Sequence, residues 1–347
     1  MYYTDRIREY TIDLNRSETA RWSEVIRKEL RVADALFAEA LADFTQIPGF
    51  DRPAGRAIKR LFRLLYRSSG GRYMGEMAAW AEALNRPLDD VLLLQCSYEL
   101  SQAYEYAGSL RPFGCTAGVH LVPGLGMVHV RNMDWPLTSI GRATRIFRFI
   151  DEDREFLTVG AAGMIGALSG MLPGEYSVTI NYAPPSSHPR FGFGPVFLLR
   201  EVLEKCDTYR YALAWLKNTD LSANVFFLLC GAKPGQACVI ERTPKRAAIR
   251  KYRGVPMTHA NHFCTRQLAP QNRPFQIEDE DGASVYQASV LRKQNLAEAI
   301  NSLHKARSIT NVASVLDVEE VCNEDTHQQM VFCPARSEYA AWRSTRS

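Results

Sequence analysis

The chain has little net charge. Its 42 lysines and arginines stand against 38 aspartates and glutamates, a balance of +4 over 347 residues, too mild to argue for nucleic acid as a partner. Long apolar runs are missing. Stretches such as Val225 to Cys230 fall far short of the roughly 20 residues a bilayer-crossing helix needs. The opening Met1-Tyr2-Tyr3-Thr4-Asp5-Arg6 has no apolar core of a secretory leader, so a cytoplasmic protein is expected. The cysteines Cys96, Cys115, Cys206, Cys230, Cys238, Cys264, Cys322 and Cys333 contain no C-x-x-C pair, which argues against a disulfide framework. The seven histidines show no H-E-x-x-H or similar spacing, so no metal or other cofactor is expected. What remains, 46% hydrophobic and 23% charged residues, is the composition of an ordinary globular protein.

The most informative stretch runs from Gly114 to Trp135. Two alternating apolar segments, Ala117 to Val122 and Met127 to Val130, flank Pro123-Gly124-Leu125-Gly126, the pattern of two strands joined by a tight turn. Such a hairpin returns Arg131 and Asp134 beside Cys115. A thiol, a guanidinium and a carboxylate then share one place. A packed free thiol next to a surface ion pair is the plain alternative.

This stretch, G-C-T-A-G at its start and R-N-M-D-W at its end, resembles the active-site hairpin of the cysteine-dependent N-terminal nucleophile hydrolases. That family includes acid ceramidase, N-acylethanolamine acid amidase, the penicillin acyltransferases and, more remotely, the bile-salt hydrolases. The resemblance implies a fold of the αββα type, two stacked antiparallel sheets between helices, with a helical segment added at the N-terminus. It also implies a precursor cut at Gly114-Cys115 into residues 1–114 and 115–347 that stay associated. A free cysteine thiol, with a pKa near 8.5, is only slightly ionised at neutral pH and needs a base. The α-amine freed on Cys115, with a reference pKa of about 8, can be that base. Asp134 would orient the amine and Arg131 would support the thiolate.

Further landmarks extend the resemblance. S-V-T-I-N-Y-A-P-P places Asn181 at a family contact position, whereas Tyr182 stands where acid ceramidase has glutamate. Trp135, Asn181 and Tyr182 are expected at the substrate pocket or oxyanion site. In T-H-A-N-H-F, Asn261 matches an asparagine whose amide donates to the developing oxyanion, a contact typically worth roughly 3 to 4 kcal/mol. His259 and His262 beside it are expected to make structural hydrogen bonds. The match weakens at the acidic run Glu278 to Asp281, which reads as a solvated loop or a lure for a cationic amine. Ser289 and Arg292 form an S-x-x-R more like the penicillin acyltransferase branch, with no catalytic role assigned to Arg292.

The remaining elements follow from periodicity. Tyr10 to Leu14 alternates as a strand and Ser17 is placed to cap a helix, while for 73–106 the family resemblance implies two helices leading to the cysteine, with Asn85 and Pro87 punctuating the pair. Residues 57–67 form a basic amphipathic pattern, with Lys59, Arg60, Arg63 and Arg67 around an apolar face. That helix either touches a membrane peripherally or packs on its own domain. The resemblance implies an amidase that acts on fatty N-acyl amides, such as N-acylethanolamines, ceramides or N-acyl polyamines including N-palmitoylputrescine. An acyltransferase and an uncut lipid-binding protein are the alternatives.

Overall fold

A computed structural model of the chain describes residues 7–45, 59–60, 63–64, 66, 70–106, 114–276 and 284–344. The acidic run 278–281 lies outside these residues, as do Ile58, Leu61, Phe62, Leu65 and Arg67 of the basic amphipathic pattern.

Before Gly114 the order is β1 (Glu9–Asp13), α1 (Glu18–Arg21), α2 (Ser23–Thr45), α3 (Met74–Ala83), α4 (Leu88–Gln95) and α5 (Ser97–Tyr106). Ser17 does precede α1, but its side chain makes no cap bond; its hydroxyl meets that of Thr19 instead. The two helices expected over 73–106 are three. Asn85, at φ +50°, and Pro87 end the first, and the chain breaks again at Cys96 because that residue leaves helical geometry. Of the basic pattern, Lys59 donates to Asp90 at 2.5 Å and Arg63 to Asp89 at 2.8 Å, both in the first turn of α4.

From Gly114 the chain runs β2 (Gly114–Val122), β3 (Gly126–Asp134), α6 (Ser139–Ala143), β4 (Thr144–Ile150), β5 (Glu155–Ala161), β6 (Ser169–Leu172) and β7 (Tyr176–Tyr182). It continues through α7 (Pro195–Lys205), α8 (Tyr209–Asn218), β8 (Val225–Gly231), β9 (Ala237–Arg242), β10 (Ala247–Lys251) and β11 (Met257–His259). The last elements are α9 (Val285–Asn301), α10 (Ile309–Ala313), β12 (Thr326–Cys333) and β13 (Glu338–Arg343).

Two sheets result. One has eight strands in the order β1-β4-β5-β6-β7-β8-β9-β10, and the other has five, β11-β2-β3-β12-β13. Every pairing is antiparallel except β1 with β4, so the N-terminal segment supplies an edge strand of the large sheet. The sheets face each other through Ala117, Val119 and Met127 against Leu228 and Val239, and through Ile146 and Val159 against Met330 and Phe332. Helices cover both outer faces: Leu296 and Ile300 of α9 pack on Val128 and Val130, while α2, α3 and α7 cover the large sheet. This is a four-layer αββα sandwich.

Strand period decides which side chains meet. On β3, Val128 and Val130 face the outer helices, so Met127, His129 and Arg131 face the other sheet. The β2–β3 turn needs its glycines, because Gly124 and Gly126 sit at φ +80° and +98°.

Candidate active site

The hairpin register pairs Gly114 with Asp134, Cys115 with Met133 and Ala117 with Arg131. Arg131 reaches diagonally across it. Its Nη2 donates to Cys115 Sγ at 3.1 Å and to the Ile180 carbonyl at 2.6 Å, and its Nη1 donates to Ser169 Oγ at 2.6 Å. Both Cys115 and Arg131 are buried, so this charge-assisted contact operates away from bulk water.

Asp134 closes the other side. A β-carbon on Gly114 would lie 2.7 Å from Asp134 Oδ2, so any larger residue immediately before the cysteine would push the carboxylate aside. The carboxylate accepts from Thr326 Oγ1 at 2.7 Å and from Asn323 Nδ2 at 3.3 Å. Burial pushes its pKa above the ordinary value, against the pull of Arg292, these two donors and Arg131.

Asn261 follows β11 and is oriented by its own hydrogen bonds. Its Oδ1 accepts from the Cys115 backbone N at 3.0 Å and from Arg292 Nη2 at 2.7 Å, while its Nδ2 donates to the Tyr182 carbonyl at 2.9 Å. The expected oxyanion donor therefore presents its carbonyl oxygen to the Cys115 backbone and keeps one N–H beyond the Tyr182 contact. Asn181 differs more from expectation. Its Nδ2 donates to the carbonyls of His259 and Ala260, both at 3.1 Å, so the amide braces the strand that leads to Asn261.

Trp135 and Tyr182 line one small cavity with Cys115, Arg131, Asp134, Tyr98, Leu168 and Ile180. It encloses about 20 Å³, room for a single water. The Tyr182 ring packs against Tyr98 of α5 with centroids 5.3 Å apart, and Tyr98 donates to the Asn224 carbonyl at 2.8 Å. Tyr182 thus stands in the wall of the cavity beside Cys115.

Three contributors were not assigned from sequence. Arg292 of α9 donates to Thr116 Oγ1 at 3.1 Å as well as to Asn261, and Ser289, one turn earlier, accepts from the Asn261 backbone N at 2.7 Å. The S-x-x-R spacing was their only local signal. Tyr98 had none, since an aromatic in a helical run reads as core.

The histidines sit behind the site. His262 Nδ1 lies 2.7 Å from Ser289 Oγ, and His259 Nδ1 lies 2.8 Å from Arg250 Nη2. Burial depresses both, His262 to about 4. Glu241, His259 and Cys264 bring potential ligand atoms within 4.8 Å of one another. The Arg250 guanidinium already stands among them, 3.3 Å from Glu241 and bonded to His259, so a metal would have to displace a cation. Among the described residues no helix is long and apolar enough to cross a membrane.

Acid ceramidase of Heterocephalus glaber is 26% identical over 268 residues, 68% of this chain and 63% of that protein. The chain thus spans less than two thirds of that relative's length. The N-acylethanolamine-hydrolyzing acid amidase of Caenorhabditis elegans is 24% identical over 256 residues, 70% of this chain and 69% of that one. The solved structure of the Caenorhabditis elegans N-acylethanolamine-hydrolyzing acid amidase ortholog superposes with a TM-score of 0.53 at 20% identity, covering 66% of this chain and all of that chain. It shares the sandwich described above. The family model for acyl-coenzyme A:6-aminopenicillanic acid acyl-transferase matches residues 124–339, from the β2–β3 turn into β13 and well over half of the sequence. By that match and that fold, the chain belongs to the acyl-coenzyme A:6-aminopenicillanic acid acyl-transferase family of N-terminal nucleophile enzymes.

Proposed function

We propose that the protein is a self-processing cysteine amidase that cleaves fatty N-acyl amides through an acyl-thioester on Cys115. One observation carries this reading: a single residue has its sulfur held by Arg131 at 3.1 Å and its backbone nitrogen held by Asn261 at 3.0 Å. In the first reaction Sγ attacks the Gly114 carbonyl carbon and the acyl group passes from nitrogen to sulfur. Water then breaks the thioester, leaving the Gly114 carboxylate and a free α-amine on Cys115. That amine stays on the Asn261 oxygen, beside its own thiol, where it serves as base.

In the second reaction the thiol proton passes to the amine as sulfur attacks the substrate carbonyl. The amine returns the proton to the departing nitrogen, and water hydrolyses the acyl-thioester. Arg131 supports negative charge on sulfur, and the remaining N–H of Asn261 is a neutral donor offered to the oxyanion. The named activities of acid ceramidase and of the N-acylethanolamine-hydrolyzing amidase support an acyl amide substrate. Tyr98 and Tyr182 pack on each other in the lining beside Cys115, so the acyl chain of the substrate is expected to run against them.

Acyl transfer to an amine is the second reading, favoured by the family-model match and by the S-x-x-R pair on Asn261. A panel of N-palmitoylethanolamine, N-palmitoylputrescine and ceramide, assayed by mass spectrometry with and without added amine, separates the two. Release of palmitic acid without acceptor, absent in Cys115→Ala, is expected. Product formed only with acceptor assigns the transferase, and no turnover of any amide by cleaved protein rejects both.

A further inference from the structure

On the far side of β11 from the nucleophile, the β10–β11 connection and the middle of α9 enclose a cleft of about 610 Å³. Arg250, Lys251, Arg253 and Lys293 line it, and among the described residues no aspartate or glutamate does. Arg250 is already matched by Glu241 at 3.3 Å. Lys251, Arg253 and Lys293 have no carboxylate within 4.0 Å among the described residues. Such cations occur elsewhere on the surface, Lys233 and Lys245 among them, but here three of them line one concavity. Three like charges in one concavity repel one another, and an anion that bridges them relieves that cost.

The donor set favours one kind of anion. Lys251 and Arg253 lie on one wall, Lys293 and Gln294 on the other. Such a spread suits the several acceptor oxygens of a phosphate better than the two of a carboxylate. The rim carries a further feature. Val255, 65% exposed, projects from the tight turn at Gly254, whose φ is +84°. An exposed branched apolar residue beside a basic pocket matches a phosphate presented at a lipid surface, with Val255 among the acyl chains and the cations on the headgroup.

We infer that this cleft is a phosphate-binding site and that its ligand is an anionic phospholipid headgroup. It shares elements with the catalytic region without sharing its residues. Arg250 donates to the Thr258 carbonyl, Thr258 donates to the Lys293 carbonyl, and α9 also carries Arg292. Occupancy would therefore seat a bilayer against the strand that leads to Asn261.

The test is co-sedimentation of the full chain with phosphatidylcholine vesicles, with and without phosphatidic acid. Three chains are compared: wild type; a variant combining Lys251→Glu, Arg253→Glu and Lys293→Glu; and a control combining Lys233→Glu and Lys245→Glu, two exposed lysines outside the cleft. Binding that requires phosphatidic acid, falls at least tenfold in the triple variant and persists in the control is expected. Lys251→Gln alone, a milder change, should weaken it a few-fold with an unaltered melting curve. A calorimetric titration with inorganic pyrophosphate distinguishes the source. Pyrophosphate binding lost in the triple variant, without vesicle binding, keeps the phosphate site but replaces the lipid with a soluble phosphoester. Equal binding by wild type and triple variant, equal loss in the control, or no binding of either probe would overturn the site.

Discussion

Asn261 has its side-chain orientation fixed by three partners of unambiguous polarity: two donors on its oxygen and one acceptor on its nitrogen. That orientation makes it a holder of the Cys115 nitrogen before it is an oxyanion donor. Asn261→Ala removes both functions, and cleavage at Gly114-Cys115 should slow by 10² to 10³-fold or more. Asn261→Asp keeps an acceptor for Cys115 N but loses the Tyr182 contact, so it should cleave measurably faster than the alanine variant in a gel time course. Equal rates would show that the carbonyl contact is unimportant. Gly114→Ala tests the neighbouring constraint. A methyl that must share space with Asp134, 2.7 Å away, should displace the carboxylate and slow cleavage at least tenfold. A wild-type rate would mean that Asp134 has no part in the step.

Among the elements, α5 joins the pocket to the ends of β7 and β8 through residues one turn apart. Tyr98 lines the cavity, and Gln102, one turn on, donates to the carbonyls of Ala183 and Asn224 at 2.9 and 2.7 Å. Tyr98→Ala should extend the accepted acyl chains toward longer ones, read as a shift in relative kcat/KM across an acyl-length series; an unchanged profile would remove Tyr98 from the acyl path. Between these residues in sequence, Glu99 is fully buried against Gly194 and Ser222, and burial raises its pKa to about 7. From pH 4.5 to 7 the folded state then holds a proton that the unfolded state releases. Stability from this group is therefore present at acid pH and lost as pH rises through 7, by about 3 kcal/mol. Glu99→Gln should raise the melting temperature by several degrees at pH 8 and hardly at all at pH 5, and an equal change at both would contradict this assignment. None of this was legible in the sequence, where Glu99 is one polar residue in a helix. The hairpin was legible, because turn glycines and strand alternation are local signals and bring Cys115, Arg131 and Asp134 together unaided. Arg292 reaches Thr116 across 176 positions, and no local pattern encodes such a contact. The third helix over 73–106 was missed because Cys96 is compatible with a continuing helix and only tertiary packing breaks it there.

Across the whole molecule, the residues on either side of Gly114 form one structure. Arg200 Nη1 and Nη2 donate to the two carboxylate oxygens of Glu76 at 2.6 and 2.7 Å, and Trp22 Nε1 and Arg21 add donors to the same carboxylate. The guanidinium also stacks 4.0 Å from the Tyr73 ring, and β1 pairs along β4. Fragments produced by a cut at Gly114 should therefore co-elute in gel filtration. Glu76→Ala takes the two-pronged carboxylate from the buried Arg200 guanidinium and leaves it only Glu204, 2.9 Å from Nε, so it should lower the melting temperature and weaken fragment association. The cleavage and fragment predictions rest on the proposal that Cys115 cuts its own chain. Intact-mass analysis of the purified protein beside Cys115→Ala tests that most directly. The account predicts two masses for the wild type, corresponding to residues 1–114 and 115–347, and one uncut chain for the variant. A wild-type chain that stays intact at every pH tried would contradict it, leaving a site with the shape of a self-processing nucleophile and without its chemistry.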